Sequence, residues 1–480
     1  MTNLFSFLAL TLGRIIQFLL VFLTIKVMTT LLSPDEVGKY YLILAIISGL
    51  LFLFINPVGL FINRRINTWK KLELIRQYLF IYLIYLFLVS LISIIFANLI
   101  LNYYLNFDLS IYWITALVGC SILFNTINTT AIPSLNLLGH PIKYIFLIVF
   151  TVTSSLILAA MFVHMFGFYF YYWFIGIIIG QSIIGLLASF ILYKNTNGNI
   201  KLGLQEFITR KKLNNFFNFL WPISLSASFI WIHFQSYRFI IESYLNTYEL
   251  GIFVAGFAIG LSLIAATELV LASFLLPKFY KAIETSNDFK KSQSWNLYAS
   301  TLIPSLLVTG CIVIILAPEI TKVFLGPEFQ VAVNYVFWGV LCEICRVIFG
   351  TYALMAHAKM QTRWLIVPSL IGSIIAVCSS IILIDMMSAH GVGFSMLLAG
   401  LLSIIFVHWF INSKISISLN WRSIIFAIAL IIALCFFDLC ILPYSKFNEL
   451  TSPLALIILY GVIFFILQYL LLFKTIKNYE

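Results

Sequence analysis

The sequence is expected to fold as an all-α polytopic membrane protein with about fourteen transmembrane helices. Two six-helix lobes related by a parallel repeat, followed by two appended helices, account for its 480 residues. Composition, the sorting of basic residues and an internal repeat predict this. The chain is 62% hydrophobic and 9% charged, with a mean hydropathy of +1.07, whereas soluble domains carry roughly 25% charged residues. Lipid offers the backbone no hydrogen bonds, so continuous apolar runs of ~20 residues read as helices. The ~10-residue alternating strands of a membrane barrel are not seen.

Hydropathy and turn punctuation place spans near 4–30, 39–62, 77–101, 111–138, 144–163, 168–193, 216–241, 248–276, 296–317, 331–356, 364–384, 394–412, 423–443 and 453–473. The first is expected to stay in the mature protein: no basic stretch precedes its apolar run, and Arg14 and Lys26 interrupt it. Alternate loops sort the charge. Of 28 Lys and Arg, 21 fall in one set of loops and three (Lys39, Lys322, Lys446) in the other. The basic set is then cytoplasmic, with both termini on that side. The acidic residues sort oppositely, nine outside and five inside. The net charge of +11 thus describes membrane orientation and not a nucleic-acid partner.

The turn Leu31–Leu42, with Ser33-Pro34-Asp35-Glu36-Val37-Gly38, has a copy at Ser243–Phe253. Leu32, Glu36 and Gly38 match Leu245, Glu249 and Gly251 at an offset of 213. His164–Phe168 resembles His390–Phe394, and Gly139–Lys143 resembles Ala356–Lys359. Spans 1–6 therefore read as duplicated in spans 7–12, giving an N-lobe over 1–200, a C-lobe over 201–413 and appended spans over 414–480. An even-numbered unit repeats in the same orientation, as in transporters with a site between parallel lobes.

Ionisable residues within spans mark functional candidates, since each is costly in lipid. Arg14 shares a face with Gln17 and Thr24, and is either a cavity cation or an interhelical anchor; Lys26 lies nearer the outer end and can snorkel. Span seven aligns Ser224, Ser228, Trp231, Gln235, Arg238 and Glu242, which suit a polar cavity or helix–helix hydrogen bonds. Span four aligns Ser121, Asn125, Asn128, Thr129 and Asn136, interrupted by Pro133. Glu343 and Arg346, at i and i+3, can pair, whereas Glu268 has no local partner and is a candidate coupling carboxylate or the partner of a cation in the other lobe. Asp438 is expected near an outer interface. Seven cysteines fall in apolar spans; Cys342 and Cys345 form a CxxC, but no second pair completes a zinc site. No P-loop appears, and no outer loop exceeds ~13 residues, which leaves little room for an extramembrane catalytic site.

The turn L-S-P-x-E-x-G-x-Y at Leu32–Tyr40 and Arg64-Arg65 open a further set of signals. R-F-I-x(7)-Y-E-L-G-I-F at Arg238–Phe253, the turn Phe324–Phe329 and His390-Gly391-Val392-Gly393 complete it. In this order the chain resembles, over essentially its whole length, the polysaccharide-repeat exporters: O-antigen-type flippases of the multidrug/oligosaccharidyl-lipid/polysaccharide superfamily. The resemblance implies V-shaped lobes around a central, often cationic cavity. It implies movement of undecaprenyl-pyrophosphate-linked oligosaccharide from the cytoplasmic to the periplasmic leaflet of the bacterial inner membrane. Many members carry an acidic residue just before the span-seven Arg; here it is Tyr237.

On this reading the chain is not an enzyme. Arg14, Lys26, Arg238, Gln235, Ser228 and Asn125 would line the cavity, and Glu268, Glu343 and Arg346 are coupling candidates. Arg64 and Arg65, with Lys70 and Lys71, would gather the anionic headgroup. No cofactor or metal is called for, and H⁺ or Na⁺ coupling is compatible with the pattern. Partners would be the lipid-linked oligosaccharide, membrane lipids, and polysaccharide polymerase and chain-length machinery. Two alternatives are a multidrug or organic-cation antiporter of the same fold and, less well supported, an integral-membrane sugar polymerase or acyltransferase.

Overall fold

In a computed structural model the chain is all-helical across the described residues: 2–104, 111–196, 210–284, 288–359, 361–415, 417, 419–440, 456–463 and 466–467. It divides into two compact units, Met1–Trp231 and Ile232–Glu480. Eleven helices, among the described residues, are long and apolar enough to cross a membrane. The sequence led to an expectation of about fourteen, and the difference has local causes. The helix over the seventh span carries the polar stripe, the thirteenth is a shorter apolar helix (Trp421–Phe436), and most of the fourteenth lies outside the described residues.

The first unit holds α1 (Thr2–Leu31), α2 (Pro34–Leu50), α3 (Asn56–Lys71), α4 (Ile75–Tyr104), α5 (Ile111–Leu137), α6 (Pro141–Phe166), α7 (Phe170–Lys194) and the start of α8 (Arg210–Tyr244). A π-helical turn at Leu51–Ile55 joins α2 to α3 without a break. Pro34 opens α2 at a position whose N–H would have no intrahelical partner. Asp35 and Glu36 complement the positive helix start, and Lys39 bridges both, at 2.6 and 2.9 Å. Glu36 also accepts the backbone N–H of Phe170, the first residue of α7, at 2.7 Å. One carboxylate thus ties the elbow to the sixth span.

Small residues let α6 and α7 approach closely. A Cβ on Gly176 would sit 2.4 Å from Ala159 Cα, and one on Gly180 2.6 Å from Ser155 Cα. The α5–α6 turn needs Gly139, at φ +95°, before Pro141 starts α6.

The second unit holds the rest of α8, then α9 (Thr247–Glu284), α10 (Asp288–Ile315), α11 (Ala317–Phe324), a 3-10 turn (Pro327–Ala332), α12 (Val333–Ala358), α13 (Ile366–Met387), α14 (Ala389–Asn412) and α15 (Trp421–Cys440). At the copied elbow, Asn246 stands where the first has Ser33. Its Oδ1 accepts the Glu249 N–H at 2.8 Å, an N-cap that Ser33 does not make. Helix pairing corresponds in the two units: α4 with α5, α5 with α7 and α6 with α7 in the first; α10 with α12, α12 with α14 and α13 with α14 in the second. The second core centres on fully buried Trp295, whose N–H reaches the Thr351 carbonyl at 2.8 Å, and on Tyr352, whose hydroxyl meets His408 Nδ1 at 2.9 Å. α15 packs on α10, where the sulfurs of Cys311 and Cys435 lie 3.9 Å apart. Asp438 of α15 accepts from the Tyr460 hydroxyl at 2.8 Å.

Candidate functional site

In the first unit, α1 places Arg14 against α6. One terminal nitrogen donates to Gln17 Oε1 at 2.8 Å, one turn along, and the other donates to the hydroxyl of Tyr144. Tyr144 sits in the first turn of α6, just past the basic turn with Lys143. The guanidinium therefore lies toward the end of the unit where the basic loops gather. Both partners are neutral, and no carboxylate precedes Asp35 in the sequence. Thr24, on the same stripe, bonds its own backbone at Leu20 (2.7 Å). Lys26 is half-buried, and its carbonyl accepts from Thr30 at 2.7 Å.

The span-four stripe separates into two kinds of residue. Asn128 is buried and donates to Thr151 at 3.1 Å and to the Gln181 carbonyl at 3.4 Å, so it joins helices. Asn125 is half-buried and accepts from Thr129 through its carbonyl at 2.8 Å. Arg64 and Arg65 fall within α3, but their side chains lie outside the described residues. Lys70 donates to the Leu138 carbonyl at 3.3 Å, just past the end of α5.

The α8 stripe also divides. Ser228 bonds back to the Ser224 carbonyl at 2.8 Å. Trp231 donates to the Ala45 carbonyl and to Ser48 Oγ of α2, both at 3.0 Å, and packs over Gly49. In the second unit, Gln235 Oε1 is buried with no hydrogen-bond partner among the described residues. Arg238 donates from Nε to the Tyr237 hydroxyl at 3.2 Å. Tyr237 is buried against Phe253 and Phe257.

The second unit's other charged cluster joins α9 and α12. Arg346 forks onto Glu343, from Nε at 2.8 Å and from its terminal nitrogen at 2.7 Å, and that nitrogen also reaches Glu268 at 2.6 Å. The i, i+3 pair was legible in sequence; Glu268 as its third member, from the same unit, was not. Two carboxylates face one guanidinium, and the Glu343 side chain is only 2% exposed. Cys342 and Cys345 flank it as buried free thiols, with Gly400 closing on Cys345.

The arrangement of helices matches solved transporters. Superposition on a lipid II flippase, MurJ, in an inward closed conformation gives a TM-score of 0.66 at 14% identity, covering 97% of this chain and 99% of that one. The chain has the fold of the MurJ and MATE transporters. An inward-facing MATE multidrug-resistance transporter of the MOP superfamily gives 0.59 at 15% identity, over 90% of this chain and 99% of that one. A MOP-superfamily transporter from Pyrococcus furiosus, described as having a binding pocket of reversed polarity, gives 0.55 at 15% identity over 85% and 94%. No family model and no curated protein matches the sequence. At these identities the likeness concerns the MurJ and MATE fold alone. The charges that would separate one cargo from another must be read from this chain's own residues.

Proposed function

We propose that this chain is a flippase, not an enzyme, that moves undecaprenyl-pyrophosphate-linked oligosaccharide repeat units from the cytoplasmic to the periplasmic leaflet of the bacterial inner membrane by alternating access. The observation that carries the reading is Arg14. It is a membrane-embedded cation whose described partners, Gln17 and Tyr144, are neutral. Described residues engage two of its five N–H donors. A guanidinium in lipid whose described partners are neutral suits an anionic ligand, and the paired acceptors of a pyrophosphate fit its fork. Arg238 and Lys26 serve as further headgroup contacts, with Gln235, Ser228 and Asn125 meeting sugar hydroxyls. Arg64 and Arg65 gather the headgroup at the inner leaflet. The lobes comprise residues 1–200 and 201–413, with 414–480 appended; polymerase and chain-length proteins act on the product.

Deletion of the gene tests this. Labelled lipid-linked repeat units should accumulate on the cytoplasmic side, with no single units on the surface. Single repeats displayed outside the membrane would indicate a polymerase instead.

A second reading, an organic-cation antiporter, is favoured by Glu268, Glu343 and Arg346, because two carboxylates around one guanidinium suit H⁺ or Na⁺ coupling or a cationic cargo. Increased drug susceptibility on deletion, with surface polysaccharide intact, would support that reading.

A further inference from the structure

The first unit contains a cavity of about 260 Å³ that is separate from Arg14. One face of α4 (Arg76, Tyr82, Leu83, Leu86) forms one wall, α7 (Leu192, Tyr193, with Thr196 just beyond) the other, and Ile127 and Thr130 of α5 the floor. α5 packs against both walls. Phe80, Leu83 and Tyr193 are exposed along the rim, which in a membrane means open to lipid.

Polarity changes in order along the slot. At its mouth the Arg76 guanidinium lies 4.0 Å over the Tyr193 ring and donates to the Tyr193 carbonyl at 2.9 Å. About 9 Å deeper, six residues along α4 at ~1.5 Å each, the hydroxyls of Tyr82 and Thr130 meet at 3.5 Å. Further along the two helices the lining is Leu86 of α4 and Ile127 of α5. The mouth faces the end of the unit where Lys70 binds the Leu138 carbonyl and Lys194 lies 4.7 Å from the Phe190 ring. That end attracts anions.

We propose that this slot is a binding site for one anionic glycerophospholipid. Its phosphate sits on Arg76, its glycerol ester oxygens meet Tyr82 and Thr130, and the start of one acyl chain lies along Leu83, Leu86 and Ile127. The sequence of cation, hydroxyl pair and hydrocarbon is that of a glycerophospholipid. A polyprenyl pyrophosphate has no carboxylic-ester carbonyl between headgroup and chain to place at Tyr82. The volume of about 260 Å³ takes the start of one acyl chain, and the remainder of the chain lies in the lipid beyond the open rim. A guanidinium has five donors, enough to hold a carbonyl and a phosphate together. The site stands independently of the cargo proposed above.

The test uses the purified full-length chain, with phosphatidylglycerol and phosphatidylcholine as probes. Native mass spectrometry counts bound lipid, and thermal unfolding reads stabilisation. Wild type should retain phosphatidylglycerol over phosphatidylcholine and unfold at higher temperature with it. Arg76→Gln should bind phosphatidylglycerol at least ~10-fold more weakly, the loss of one charge-assisted contact. Leu83→Trp, which fills the slot and keeps the charge, should lose both lipids and serves if Arg76→Gln does not fold. Equal phosphatidylglycerol retention by wild type and both variants would overturn the proposal. So would recovery of polyprenyl phosphate in place of phospholipid.

Discussion

Removing Arg346 should destabilise the second unit more than removing the whole charged pair does. Glu343 is 2% exposed and receives two bonds from Arg346, whereas Arg346 itself is 38% exposed. Arg346→Leu strands a buried carboxylate. That mechanism costs roughly 3–5 kcal/mol in buried pairs, and the partial exposure of the arginine puts this case near ~3 kcal/mol. Replacing both with leucine removes the buried stranded charge and leaves only the 27%-exposed Glu268 without its arginine, and exchanges of a buried pair are often near neutral. The double variant should therefore unfold at higher temperature than Arg346→Leu alone. Glu268→Gln keeps the pair and loses only one charge-assisted bond from a 27%-exposed group, so about 1 kcal/mol is expected. The assay is thermal unfolding of the purified chain with a thiol-reactive dye. Cys342 and Cys345, buried and free beside Glu343, report opening at this place. If Arg346→Leu unfolds with wild type, or the double variant is worse than the single, the network does not act as described.

Other consequences are local. Glu36→Ala leaves the buried Phe170 N–H without its acceptor and should lower stability by ~1–3 kcal/mol, with Glu36→Gln losing less. Gly176→Ala forces a Cβ to within 2.4 Å of the Ala159 backbone, which cannot rotate away, and should cost about 1–3 kcal/mol in thermal unfolding. Trp231→Phe keeps the packing over Gly49 but abandons the Ala45 carbonyl and Ser48, with ~1 kcal/mol expected.

The helical membrane fold was legible because lipid imposes a hydrophobic criterion on every span, and charge sorting is a property of loops. What escaped were contacts distant in sequence. Arg14 was visible as an outlier, but Tyr144 lies 130 residues away and is one of 24 tyrosines. Glu343 and Arg346 share a helix face, so periodicity paired them; Glu268 is 78 residues from Arg346 and gave only the signal of an unexplained intramembrane acid. The elbow was recognised as a repeat marker. The residue that ties the elbow to α7 is Glu36, through a backbone N–H that no side-chain pattern announces. The span-four amides looked alike, yet Asn128 is spent between helices and Asn125 is half-exposed. Three residues of drift around a helix decide between those fates, and drift at that scale depends on neighbours absent from a linear pattern. Arg76 was one of 21 basic residues in the loops read as cytoplasmic; its stacking on Tyr193 needed the fold.

The most direct test of the central claim is flipping of a fluorescent, pyrophosphate-linked oligosaccharide lipid by the reconstituted chain, wild type against Arg14→Ala. Reconstitution level and thermal unfolding are matched first. A guanidinium contact to pyrophosphate is worth roughly 1.5–3 kcal/mol, so transport should fall at least ~10-fold, with Arg14→Lys intermediate because it keeps charge without the fork. Transport by Arg14→Ala at the wild-type rate would contradict the account.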